Sequence, residues 1–249
     1  WPGGWWAYSL LLGAAGVSLG WVLRQVRGNR SARGAAWTAF LLRLGVGLAL
    51  IWLLPVLGYP DNEASQAGYL FKDAAMRDRQ AWALASSDAP LWSAFSGNLS
   101  GDQYGGLMAV SAALYRYLSP GTHRPLLVVL LAGWAAGVGV VLLWAAARHW
   151  FDGDDLSGRM VPGVAAWIMA LYPEVVLLGV SQMREPFAMA ALAVCFYGMV
   201  KIGRRGESGS LPPRSSPSGR GEEGHPRRGW LALGAGLGTL FLLQPPVAL

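Results

Sequence analysis

Six long apolar runs constrain this chain more than any other feature: 5–23, 35–57, 126–147, 161–180, 187–202 and 230–249. The hydrocarbon core of a bilayer is about 30 Å thick, so a spanning helix needs roughly 20 mostly apolar residues. A soluble core can hide one or two such runs, but not six within 249 residues. A charged fraction of only 14% agrees. The expected fold is all-α: a polytopic membrane protein of about six transmembrane helices, with no domain-sized soluble segment.

The net charge of +6 is spread over loops rather than gathered on a face. Nucleic-acid binding would need a basic face with base-stacking groups, so it is not expected. The arginines instead report topology. Loop 24–34 holds Arg24, Arg27, Arg30 and Arg33 and no acid, and loop 201–229 holds seven bases against three glutamates. The positive-inside rule places both in the cytoplasm. Segment 58–104 has six acids and three bases, which places the 58–124 loop outside. Trp5, Trp6, Trp21, Trp37, Trp150 and Trp230 lie near run ends, where amphipathic rings favour the interface.

Within the 58–124 loop, residues 64–79 repeat apolar positions at helical spacing, with Lys72, Arg77 and Asp78 off the apolar face. Leu107, Val110, Leu114 and Tyr117 do the same before Pro120. Both segments are too short to span and fit helices lying in the interface. Segment 203–229, rich in Gly, Ser, Pro and Arg, reads as a disordered cytoplasmic loop. The single cysteine, Cys195, reads as a small buried hydrophobe. Gly16–Gly20, Gly133–Gly137 and Gly234–Gly238 have the spacing of closely packed membrane helices. The chain starts at Trp1 rather than Met and ends inside an apolar run, which predicts a fragment or processed product. A signal peptide is not expected at 1–23, because arginines follow the run rather than precede it.

Two polar islands, 60–74 and 181–186, lie just beyond apolar runs on the same expected external side. Asp61 has two readings: an N-cap accepting a backbone N–H, or a general base that takes a proton from an incoming hydroxyl or amine. Glu63 could orient Asp61, bind a cation, or be a solvated helix start. Arg184 and Glu185 form either a local interfacial pair or a phosphate fork. Glu174, beside Pro173 in an apolar run, could line the same site, since ionisable groups at such depth face cavities or partners, or be a protonated or snorkelling residue near the outer boundary. Lys72, Arg77 and Arg79 are candidate phosphate contacts or solvated helix charges. Asp102 and Tyr104 could meet an acceptor, although turn chemistry alone explains an Asp among glycines. Asp152, Asp154 and Asp155 read as a cytoplasmic turn rather than a metal cluster. The sequence has no nucleotide-hydrolase phosphate loop, zinc spacing or nucleophile elbow.

In order, the chain carries Pro60-Asp61-Asn62-Glu63, then Gly68-Tyr69-Leu70-Phe71-Lys72-Asp73-Ala74, then 102–118 before a return span, then 170–187 with Ser181-Gln182-Met183-Arg184-Glu185-Pro186. This arrangement resembles the N-terminal half of GT-C-type membrane glycosyltransferases, notably bacterial relatives of protein O-mannosyltransferases and the aminoarabinose transferase. The resemblance covers roughly residues 35–249. It implies a single truncated transmembrane domain over 1–249. The implied reaction moves a sugar from a polyprenyl-phosphate donor to a lipid, glycan or protein acceptor on the non-cytoplasmic face of a bacterial plasma membrane. Asp61 would be the catalytic base and Glu63 the second acid. Arg184 and Glu185 would belong to the donor site, with Tyr69, Lys72, Asp102 and Tyr104 counted as donor or substrate contacts. No cofactor is required; a divalent cation is compatible, and membrane lipids are the standing partners. Other readings are a transporter or lipid flippase, which would favour broken spans and repeat symmetry, and a non-catalytic assembly subunit.

Overall fold

The computed structural model describes residues 5–95, 105–151, 156–208 and 226–243. Among them, helix α1 (Trp5–Gln25) leads through a short turn into α2 (Arg30–Leu57). Asn29 starts α2 by accepting the Ala32 N–H at 2.9 Å, which satisfies one of the four orphan donors of a helix start. A cap follows: α3 (Glu63–Gln66), α4 (Lys72–Ala85), a 3-10 turn (Leu91–Phe95) and α5 (Gly105–Leu118). The chain re-enters the bundle as α6 (Leu126–Trp150) and continues with α7 (Leu156–Leu171), α8 (Pro173–Val180), α9 (Glu185–Ser208) and α10 (Pro226–Leu243).

Helix α6 is the central post. Its most apolar stretch is 67% buried, against 17–33% for the other long apolar helices. Gly133 and Gly137 explain how α2 comes so close: a Cβ on either would lie 3.3 Å from the carbonyl oxygen of Phe40 or Ala36. Polar ties reinforce the packing. Trp134 Nε1 donates to Ser18 Oγ at 2.8 Å between α6 and α1, and Trp167 Nε1 donates to Ser31 Oγ at 3.2 Å between α7 and α2. The other glycine spacings do not mark contacts, since Gly20, Gly234 and Gly238 face open space and Gly16 meets only a Trp37 ring. The α9–α10 contact uses Gly236, whose Cβ would lie 2.8 Å from the Ala191 carbonyl oxygen. Cys195 is buried in that contact, as its neighbours in the apolar run imply.

The architecture is that of an all-α polytopic membrane protein. Among the described residues, four helices are long and apolar enough to cross a membrane, and the pair α7–α8 makes a fifth if counted as one span. That pair corrects the expectation of a continuous 161–180 span: it bends by 47° at Tyr172–Pro173. Proline there has no N–H and excludes the preceding residue from the helical region. The apolar part of α10, Gly229–Leu240, is shorter than a span, and residues 244–249 of the expected sixth run lie outside the described residues. The expected 203–229 loop is helical at both ends, in α9 to Ser208 and from Pro226 in α10. The expected 64–79 helix is split into α3 and α4 by a turn with Gly68 at φ +82°. Trp37 packs on Phe40 in the core, whereas Trp5, Trp6, Trp21, Trp150 and Trp230 are exposed.

Candidate functional site

The two polar islands meet at the cap end of the bundle. The left-handed turn at Gly68 packs on the α2 backbone, where a Cβ would lie 3.0 Å from Ile51 Cα. This seats α3 and the start of α4 over the ends of the long helices. From the other island, Met183 packs against Ala64, Tyr69, Ala74 and Ala75. Arg77 Nη2 approaches Met183 Sδ at 3.1 Å. Gln182 holds a left-handed backbone (φ 57°), an uncommon state for a residue with a side chain and one that marks strain. Its side chain, 6% exposed, reaches the Tyr69 hydroxyl.

A buried carboxylate lies at the centre of the cap. Asp78 is 3% exposed and accepts hydrogen bonds from the Tyr69 and Tyr115 hydroxyls. His123 Nε2 lies 2.6 Å from its Oδ2, without the alignment of a hydrogen bond. Tyr115 and His123 also meet edge to face, with ring centroids 5.1 Å apart. Burial first, and then the Asp78 carboxylate, push both phenols well above the usual tyrosine range, so both remain proton donors. This network ties α4, α5 and the segment before α6 into one body.

Below the cap is a cavity of about 130 Å³. Its lining mixes apolar side chains, Leu50 and Ile51 of α2, Leu126 and Val129 of α6 and Val180 of α8, with the polar Tyr8 of α1, Tyr69, His123, Arg124, Ser181 and Gln182. The Arg124 guanidinium has no hydrogen-bond or ion-pair partner among the described residues. A half-buried, uncompensated cation in a lining with apolar side chains suits an anionic head group with an apolar tail.

Asp61 is exposed in the turn before α3. It is not the N-cap, because Asn62 accepts the Ala64 N–H at 3.1 Å instead. Glu63 is 87% exposed on its side chain and lies 3.6 Å from Arg79, a solvated pair worth little. Lys72 is exposed at the start of α4. Arg184 sits immediately before α9, its carbonyl accepting from the N–H groups of Phe187 and Ala188. Glu185 opens the helix, with Oε2 buried and unbonded. Glu174 departs from expectation: it is exposed in the first turn of α8, where the helix dipole favours an acid, and does not line the cavity. Arg77, read as a phosphate contact or a solvated helix charge, and Asp78, expected off the apolar face, are both buried. Asp102, Tyr104, Asp152, Asp154 and Asp155 lie outside the described residues.

His123, Arg124 and the role of Asp78 were not anticipated. One signal existed: a basic pair flanks α6 at the end opposite the arginine-rich loops, against the usual charge asymmetry. Among the described residues no group of three His, Cys, Asp or Glu side chains is placed to hold a metal ion. Compared with known proteins, the chain matches no family model, no curated protein and no solved structure.

Proposed function

We propose that this chain is the N-terminal part of a membrane glycosyltransferase that uses a polyprenyl-phosphate sugar, with the cap on the external face of a bacterial plasma membrane. The observation that carries the reading is the convergence of both polar islands over a cavity lined by apolar side chains together with Arg124. The prenyl chain would follow the apolar side chains and the phosphate would face Arg124. Asp61, exposed and free of a capping duty, would take the proton of the acceptor hydroxyl or amine. The acceptor atom would bond to the anomeric carbon from the face opposite the phosphate. The bond from that carbon to the phosphate oxygen would break, and its electron pair would stay on the phosphate. Cations beside that oxygen favour the step because negative charge grows there as the bond breaks. Arg184 and Glu185 stand at the adjoining corner as donor contacts.

The test uses the full-length protein in membranes with a radiolabelled polyprenyl-phosphate sugar. Asp61→Asn is expected to abolish transfer while retaining donor binding. Arg124→Gln should weaken donor binding by up to about 3 kcal/mol, the upper range for a lost charge-assisted contact. Normal turnover in Asp61→Asn would overturn the assignment. The broken span α7–α8, beside the buried Arg43 of α2, favours a second reading as a lipid flippase or transporter. Headgroup movement across proteoliposomes without sugar transfer would select it.

A further inference from the structure

Arg43 lies fully buried (0% exposed) in the middle of α2. It packs beside Gly133, seven residues into α6 and so roughly 10 Å along that helix from its first turn. A charge at such depth is costly and persists where it has a partner or a task. Its Nη1 donates to the Ala39 carbonyl of its own helix at 3.0 Å and to the Ala170 carbonyl at 3.2 Å. Ala170 is in the last turn of α7, where helix carbonyls lack intrahelical donors. The rest of the side chain presses on α8. A Cβ on Gly179 would lie 3.0 Å from Arg43 Nε and 3.2 Å from Cδ. Pro186, in the first turn of α9, lies 3.5 Å from the same point. One side chain thus touches both halves of the broken span and lies under the corner that carries Arg184 and Glu185. Nε and Nη2 have no hydrogen-bond partner among the described residues.

We propose that Arg43 is a positioning residue for the cap-end site. It fixes the 47° bend between α7 and α8. In doing so it keeps the 181–186 corner over the cavity, with an uncompensated positive charge beneath it. The site's role rests on the glycosyltransferase reading; the geometry does not.

The experiment separates the two. Spin labels at Leu156→Cys and Leu177→Cys, in a Cys195→Ala background, report the distance across the bend in the full chain in nanodiscs. The unsubstituted chain should give one narrow distribution. Arg43→Gln should broaden or shift it, and Arg43→Lys should partly restore it. Gly179→Ala, which keeps the charge but crowds the guanidinium, should shift it as well and serves if Arg43→Gln does not fold. In a second arm, Arg43→Gln should lower the affinity for decaprenyl phosphate by about tenfold, within the usual size of coupling between linked sites. Affinity for the neutral decaprenol should not change. A distance unaltered in both Arg43→Gln and Gly179→Ala, even with a lower melting temperature, would overturn the proposal. A chain that binds decaprenyl phosphate no better than decaprenol would instead remove the phosphate reading, leaving the distance arm to decide Arg43.

Discussion

A carboxylate removed from water needs donors, and Asp78 finds two on different segments, the hydroxyls of Tyr69 before α4 and Tyr115 in α5, with His123 Nε2 close by at 2.6 Å. Removing one donor leaves an acceptor short of partners at a desolvated site. Tyr115→Phe should therefore destabilise the protein by about 1–3 kcal/mol, read by thermal unfolding in detergent. The same phenols set a pH signature. Their values are raised in the folded protein, whereas an unfolded tyrosine ionises near pH 10. The stability they contribute is complete below about pH 10 and is lost as the pH rises towards their folded values. Tyr115→Phe should be less stable at neutral pH and should lose less stability between about pH 9 and pH 11. An equally steep alkaline loss in the variant would count against this network. None of this was legible along the chain, where Asp78 looks like one more charge on a helix face.

At the scale of elements, the long helices were legible because their apolar length far exceeds what a loop or a small core uses. Their contacts were legible only in part. The Gly133–Gly137 spacing does mark the α2–α6 seam, yet with the same spacing Gly20 of α1 and Gly234 and Gly238 of α10 face open space and Gly16 meets only a Trp37 ring. Spacing shows that a face is flat; a partner must still arrive to use it. Gly137→Val should force α6 away from Ala36 and cost about 1–3 kcal/mol through overpacking. Gly238→Val, with nothing within 4 Å of its Cβ position, should cost much less. Comparing the two unfolding midpoints in detergent checks the seam. The break in the fourth run had a visible cause in Pro173, but its 47° size depends on what α2 and α6 leave room for.

For the whole molecule, orientation is the testable quantity. The arginine-rich turn between α1 and α2 and the cap stand at opposite ends of the bundle, so the positive-inside rule predicts the turn in the cytoplasm and the cap outside. In a Cys195→Ala background, a cysteine at exposed Ser86 should react with an impermeant maleimide added outside intact cells. One at exposed Gln25 should react only after permeabilisation. The reverse pattern would put the cap in the cytoplasm and remove polyprenyl-phosphate chemistry on the external face.

Sequence alone determined the class of fold and the positions of most spans, because transfer into hydrocarbon depends on apolar length and not on neighbours. It also marked the two polar islands, since charges beside a membrane boundary stand out from their surroundings. Only the tertiary structure decided that Met183 and Gln182 lock those islands together. The same holds for the paired phenols on Asp78, for Arg124 at the cavity wall and for Arg43 bridging a broken span. Most of these depend on a partner tens of residues away, and burial and charge compensation come into being only when those partners meet.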